Sequence, residues 1–378
     1  MSQDPLSWLA ERGAERVAAG LRRVLQPRAA VESVIDLASN DYLGLARDPR
    51  VIQGAVDAVR TWGAGSSGSR LVTGSTELHA ELEAELADFC GTGAALVFSS
   101  GYTANLGAVT ALSGPGSLVV SDAGSHASLV DACRLSRARI VVVPSHDVDA
   151  VDAALAARAE SRAMVVTDSV GSAGGELAPL TALFAVCRTR GAMLLADEAH
   201  GLGVHGPGGR GLVAAVGLAG EPDLVVTATL SKSLGSQGGA VLACPAVVEH
   251  LVNAARPFIF DTGLAPAAAG AALAALRVLR AEPILPARVL AAAVQIAAAV
   301  GVPAPTSAVT SVILGSAQRA VEAAAECLVR GVRVGCFRPP SVPEGTSRLR
   351  LTAHAGLSDD DLARVAEVLT AVLAGVRA

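Results

Sequence analysis

Between about residue 94 and residue 243 the chain alternates short apolar runs with helical patterns, and this alternation constrains its fold more than any other feature. The runs are ALVF, SLVV, RIVVVP, MVVTD, MLLAD, DLVVTAT and GAVLAC. Such an order predicts an α/β fold, a mostly parallel sheet with helices covering it. Helical segments between the runs include 149–158, with Asp149 as the expected N-cap, and 180–190, which follows Pro179. Ligands of such sheets bind outside the carboxyl ends of the strands, so the residues just after each run are where chemistry is sought.

After about residue 265 the pattern changes. Ala-rich helices lead to a strand (SVILG), a helix over 319–330, strands near VRVGCF and RLRLT, and a final helix. This reads as a second, smaller α+β layer over 266–378, beside a large unit over 46–265. Residues 1–45 lie outside the sheet pattern and are expected to pack with the smaller layer. A length of 378 residues suits about two domains. The net charge is −5 with no block of like charge, which argues against nucleic acid or an anionic membrane and for a small-molecule partner. The most apolar region, 263–302, is broken by Arg277, Arg280, Glu282, Pro283, Pro286 and Arg288. It falls short of the ~20 continuous apolar residues of a membrane span and reads as buried helices. Six cysteines are scattered without a CxxC pair, and the N-terminal stretch is charged throughout with no secretion signal. Both point to a reducing cytoplasm.

One residue type is nearly absent. Lys232 is the only lysine, and the other twenty-nine basic residues are arginine. Arginine stays protonated at any working pH, whereas a lysine amine can lose its proton and attack a carbonyl to form an imine. A compositional leftover would also account for a lone lysine, so its surroundings decide: Lys232 sits in TLSKSLGSQGG, just past the run DLVVTATL, where a cofactor could reach it. Asp197 and His200 follow another run in AMLLADEAHGLGVHG. A buried carboxylate needs a cation, and a protonated pyridine nitrogen would serve; an N-cap Asp with a solvated His is the plainer reading of DxxH alone. FSSGYTANLGAV offers a strand, a Ser-Ser-Gly turn and a helix start whose N–H groups suit a phosphate, or simply a strand-to-helix turn. His126 in VSDAGSHASLVDA follows a strand, placed either to stack on an aromatic ring or to cap a helix. The ordered set of Ser-Gly-Tyr, His, Asp-x-x-His and Thr-x-x-Lys at successive strand ends is more specific than any member.

With these residues the chain resembles the α-oxoamine synthases, pyridoxal-phosphate enzymes of fold type I, and within them the branch that condenses L-alanine with a pimeloyl thioester in biotin biosynthesis. The matching segments are SNDYLGL (39–45), GSSGSRLVTGSTELHAELEAELADF (65–89), SSGYTAN (99–105), SHASL (125–129), DEAHGLGVHGPGGRG (197–211), TLSKSLG (229–235) and FRPPSVPEGTSRLRLT (337–352). The resemblance implies a large domain with a mostly parallel seven-stranded sheet, a smaller α+β domain, and a homodimer with the site at its interface. It implies that Lys232 holds pyridoxal 5'-phosphate as a Schiff base and moves the α-proton of the substrate. Asp197 would pair with the pyridinium nitrogen, His126 would stack on the ring, and His200 and Ser172 would bond its phenolic oxygen. Gly101 and Tyr102 amides with the Thr229 hydroxyl would hold the phosphate. Asn40 and Arg350 would take the amino-acid carboxylate, Arg22 and Ser341 would contact substrate, and Thr262 would reach the neighbour's phosphate.

Departures from the family pattern qualify this. Gly171 stands where relatives usually carry a bulky aromatic and Gly174 where an Asp is usual, which implies a looser backbone beside Ser172 and an altered acyl-chain fit. Glu198 replaces a frequent second Asp and Ser341 a frequent Thr, both retaining the chemistry. The rival reading within the family is a synthase using glycine or serine and another acyl-CoA, for example of the glycine C-acetyltransferase or 5-aminolevulinate synthase type. A catalytically dead partner subunit is disfavoured by Lys232, and a Rossmann-type nucleotide binder by the lack of a GxGxxG in the first βα unit.

Overall fold

A computed structural model describes residues 4–377. Among the described residues eleven strands form two sheets: β1 (Ile35–Leu37), β2 (Ala94–Phe98), β3 (Ser117–Asp122), β4 (Arg139–Val143), β5 (Arg162–Asp168), β6 (Met193–Asp197), β7 (Leu224–Thr229), β8 (Gly239–Ala243), β9 (Val309–Gly315), β10 (Val332–Phe337) and β11 (Ser347–Thr352). The seven expected runs become the seven strands of one sheet, ordered β2-β8-β7-β6-β5-β3-β4, in which only β8 is reversed. Its reversal follows from connection length. Residues 230–238 between β7 and β8 are too few for a helical crossover, so the chain turns back antiparallel.

The strands β3, β7 and β8 are buried along their whole length. Alternate residues feed opposite faces: Leu118 and Val120 join one apolar cluster and Val119 the other. Helices Gly101–Leu112 and Ala127–Ser136 cover the second face through Ala104, Ala108, Leu129 and Ala132. Helices Glu77–Cys90 and Leu180–Thr189 cover the first through Leu82, Leu86, Leu183 and Phe184. Each fully buried leucine contributes about 1.5–3 kcal/mol over an exposed one.

The smaller sheet has the order β1-β10-β11-β9, with β1 parallel to β10 and the other pairs antiparallel. The N-terminal segment thus supplies one strand to the C-terminal sheet, and Thr352 Oγ1 ties the two, its single proton lying between the Leu37 and Ser39 carbonyl oxygens, both 2.7 Å away. Helix Ser7–Ala18 behaves differently: none of its residues is buried, and Trp8, Leu9 and Val17 are exposed.

The Ala-rich region forms helices Pro266–Ala281 and Leu285–Val300, set at 84° to each other. The first packs against helix Pro49–Trp62, where a Cβ on Gly270 or Gly54 would collide with the facing backbone; glycine allows the close approach. Among the described residues no single helix is long and apolar enough to cross a membrane. One cap differs from expectation. Helix Val148–Ala156 is capped by Asp147, whose side chain accepts from Ala150 N at 2.9 Å, and Asp149 lies inside the first turn. An Asx cap needs an extended backbone to reach the third N–H, and Asp147 has it.

Candidate active site

Because six strands of the large sheet run the same way, their carboxyl ends share one edge. At the end of β2, Ser100 caps helix Gly101–Leu112, accepting from Thr103 N at 3.1 Å. A Cβ on Gly239 of β8 would overlap the Ser100–Gly101 peptide, so glycine is what lets β8 pass against this helix start. His126 follows β3 and caps helix Ala127–Ser136. Asp168 and Asp197 end β5 and β6 as register partners, and β7 ends in Thr229 with Lys232 three residues on. One cavity of about 270 Å³ is lined by Lys232, His126, Asp197, His200, Thr229, Gly101 and Tyr102 together.

Asp197 is held by two donors, Ala199 N to Oδ1 at 2.8 Å and Asn105 Nδ2 to Oδ2 at 2.7 Å. Burial lowers the Lys232 pKa to about 8, with Arg350 pushing the same way and Asp197 and Asp168 opposing. At pH 7 about one amine in ten is then unprotonated, against about one in 3000 at the ordinary value. Burial, then Lys232 and Arg350, hold His200 well below the usual histidine value, so its ring is neutral. The Lys232 ammonium donates to His200 Nε2 at 2.9 Å, which places the ring proton on Nδ1, facing the Tyr42 hydroxyl at 2.6 Å. Tyr42 donates in turn to Asn40 Oδ1 at 3.2 Å, and Arg350 Nη1 donates to the same oxygen at 3.0 Å. A continuous set of hydrogen bonds thus runs from the amine to a buried guanidinium, which also lies 5.2 Å over the Phe337 ring.

Not every expected residue reaches the cavity wall. Asn40 and Arg350 stand behind it, linked through Tyr42, and Ser172 meets Arg350 through its backbone carbonyl, which accepts from Nε at 2.6 Å. Arg22 and Ser341 are exposed on segments that touch each other: Arg338 donates to the Gly20 carbonyl at 2.5 Å and Arg23 to that of Pro339 at 3.3 Å. Neither residue lines the cavity. Thr262 is exposed and bridges Ser69. The glycine-rich turn is tighter than its composition suggested. Gly171 N bonds the Glu176 carbonyl at 2.8 Å, Gly175 N the Gly171 carbonyl at 2.9 Å, and Ser311 Oγ the Ala173 carbonyl at 2.7 Å. The Glu176 carboxylate fills the space where side chains at 171 and 174 would project. Glu198 does not line the cavity and braces the fold, accepting from Val213 N at 2.6 Å and Ser169 Oγ at 2.9 Å.

Several site residues escaped the sequence reading, Ser231 beside Thr229 among them. Tyr42 had a signal of the kind that exposed Lys232, since the chain has only two tyrosines and the other is Tyr102. Asp168 ends its strand run as Asp197 does; it is buried, its Oδ2 has no hydrogen-bond partner among the described residues, and burial together with Asp197 raises its pKa well above the usual carboxyl value. Asn105 and Ser128 carried no signal of their own beyond lying in the matching segments SSGYTAN and SHASL.

The aminotransferase class I and II family matches residues 32–369. The 8-amino-7-oxononanoate synthase of Mycolicibacterium smegmatis is 67% identical over 375 residues, 99% of this chain and 98% of that protein. The chain belongs to the 8-amino-7-oxononanoate synthases. A solved structure of SPT with the PLP internal aldimine superposes with a TM-score of 0.92 at 32% identity, covering 99% of this chain and 100% of the other. The 8-amino-7-oxononanoate synthase of Francisella tularensis superposes with a TM-score of 0.77 at 25% identity, covering 92% and 99%. The chain is accordingly a pyridoxal-phosphate-dependent acyltransferase with a mostly parallel α/β fold.

The cavity fits that cofactor. It presents an amine partly freed of its proton, a buried carboxylate already oriented by two donors, and a helix N-terminus whose first N–H groups have no partner within the helix, with the Thr229 and Ser231 hydroxyls, 2.6 Å apart, also in the lining. A Cβ on Gly101 would press against the Thr229 side chain, which keeps this helix start close to the hydroxyls.

Proposed function

We propose that the chain catalyses the decarboxylating condensation of L-alanine with a pimeloyl thioester, giving 8-amino-7-oxononanoate, carbon dioxide and the free thiol carrier. The observation that carries this reading is the single lysine amine, at about pKa 8, inside a cavity that also holds Asp197 and connects through His200 and Tyr42 to Arg350. Lys232 would carry pyridoxal phosphate, Asp197 its ring nitrogen, His126 its ring face, His200 and Ser172 its phenolic oxygen, and Gly101, Tyr102 and Thr229 its phosphate end. When bound, the cofactor delocalises the negative charge left at the α-carbon. The work of the protein is then to orient and to move protons. Lys232 takes the α-proton at Nζ, and its lowered pKa leaves the amine able to accept and return a proton near neutral pH. Arg350 and Asn40 orient the amino-acid carboxylate, for which two guanidinium N–H groups remain beyond those bonded to Ser172, Asn40 and Tyr42. Arg22 and Ser341 would meet the acyl donor where their two segments touch.

A homodimer is part of the proposal. Leu71, Val72 and Phe260 are 52%, 79% and 69% exposed and flank the Ser69–Thr262 bridge, an apolar patch that a second copy would cover. Thr262 would then reach the partner's phosphate. The test is a panel of amino acids against acyl thioesters with the purified protein. L-alanine with a pimeloyl thioester should turn over fastest, and preference for glycine overturns the assignment.

A further inference from the structure

His126, which caps its helix, accepts at Nδ1 from the backbone N–H of Ser128 at 3.2 Å. A backbone N–H can only donate, so Nδ1 carries no proton and the neutral ring has its proton on Nε2. The Ser128 hydroxyl lies 2.7 Å from the same Nδ1 and must therefore donate to it as well. Its oxygen accepts from Asn105 Nδ2 at 2.8 Å, and the second proton of that amide goes to Asp197 Oδ2 at 2.7 Å. The amide cannot be turned over, because its oxygen would then face the Asp197 carboxylate at hydrogen-bond distance. Every proton in the chain Asp197–Asn105–Ser128–His126 thus has one allowed direction. Asn105 and Ser128 are buried in the cavity wall, and Asn105 Oδ1 has no partner among the described residues. An amide left half unsatisfied in the interior is costly. Its orientation serves the two groups that it bonds.

We propose that Asn105 and Ser128 are positioning residues, which fix His126 as the Nε2–H tautomer and lock it to the carboxylate assigned to the cofactor's ring nitrogen. Protonating Nδ1 would set N–H against N–H and turn the Ser128 hydroxyl away, so the lock also disfavours an imidazolium over the cofactor. Of the proposed function the inference uses only the places of His126 and Asp197 beside the cofactor.

The test is nitrogen NMR on the full chain with isotope-labelled histidine, the His126 signals being assigned from their loss in His126→Gln. Without cofactor at neutral pH, Nδ1 should be unprotonated and Nε2 protonated. Asn105→Ala, which has no hydrogen bond to His126, should still move the Nδ1 resonance by releasing the Ser128 hydroxyl. Asn105→Ala and Ser128→Ala should each weaken pyridoxal-phosphate binding about ten-fold, and the double variant should be no weaker than the weaker single one. A proton on Nδ1, an unmoved resonance in Asn105→Ala, or binding losses that multiply would each overturn the proposal. If Asn105→Ala does not fold, an unmoved Nδ1 resonance in Ser128→Ala overturns it equally. The tautomer is read without cofactor or substrate, so a failed substrate panel and a failed tautomer assignment are distinct results.

Discussion

Removing the Lys232 charge should make the cofactor-free protein more stable, although the same change abolishes its activity. Unfolded, the amine titrates near 10.5; folded, burial brings it to about 8. Below pH 8 the amine is protonated in both states, and the folded state bears the whole penalty of burying the charge. That difference corresponds to about 3 kcal/mol, an upper value because the cavity admits some solvent. Lys232→Met removes the charge and keeps the bulk, but it gives up the bond to His200, which takes back about 1 kcal/mol. The net gain at pH 7 should be about 2 kcal/mol. As pH rises from 8 through 10.5 the folded protein sheds its proton before the unfolded chain does, wild-type stability climbs, and the advantage of the variant disappears. Urea unfolding of both cofactor-free proteins at pH 7 and pH 10.5 measures this. Equal stability at pH 7, or a gain that persists undiminished at pH 10.5, would refute the argument that burial depresses this amine.

Asp168 offers the mirrored case. Its folded pKa lies above the ordinary carboxyl value, so stability is lost as pH rises from about 4 towards that higher value. Asp168→Asn, which mimics the protonated acid, should therefore stabilise the cofactor-free protein at pH 7, with a gain that shrinks towards pH 5 in parallel urea titrations. Tyr42→Phe leaves His200 Nδ1–H without its buried acceptor and should cost about 1–3 kcal/mol in thermal or urea unfolding. It should also raise the KM for the amino acid, because Asn40 and Arg350 lose the hydroxyl that both of them contact. Asp147→Ala should destabilise by about 1 kcal/mol through loss of the cap. Asp149→Ala should cost only a few tenths, the value of a first-turn charge; the reverse order in a melting comparison would restore Asp149 as the cap.

The large sheet was legible because its seven strands are nearly continuous apolar runs, and the candidate site was legible because Asp197 ends one of these runs with His200 soon after it, while His126 and Lys232 follow soon after others. Other features were not. Whether Asp147 or Asp149 caps a helix depends on which of two neighbouring aspartates is extended, and composition is the same either way. The glycines at 171 and 174 suggested slack, yet Glu176 folds back over them and three backbone acceptors pin the turn. Helix Ser7–Ala18, part of the segment expected to pack with the smaller layer, has no buried residue.

Local pattern by itself determined the strands, the parallel fold and the identity of the amine, since period, run length and the one lysine are properties of short stretches. The lowered pKa of that amine, the direction of each proton around His126 and His200, and the union of Asn40, Tyr42, Ser172 and Arg350 were decided only by tertiary structure. Those residues are up to 310 positions apart in the chain, and burial and hydrogen-bond geometry do not exist until the sheets bring them together.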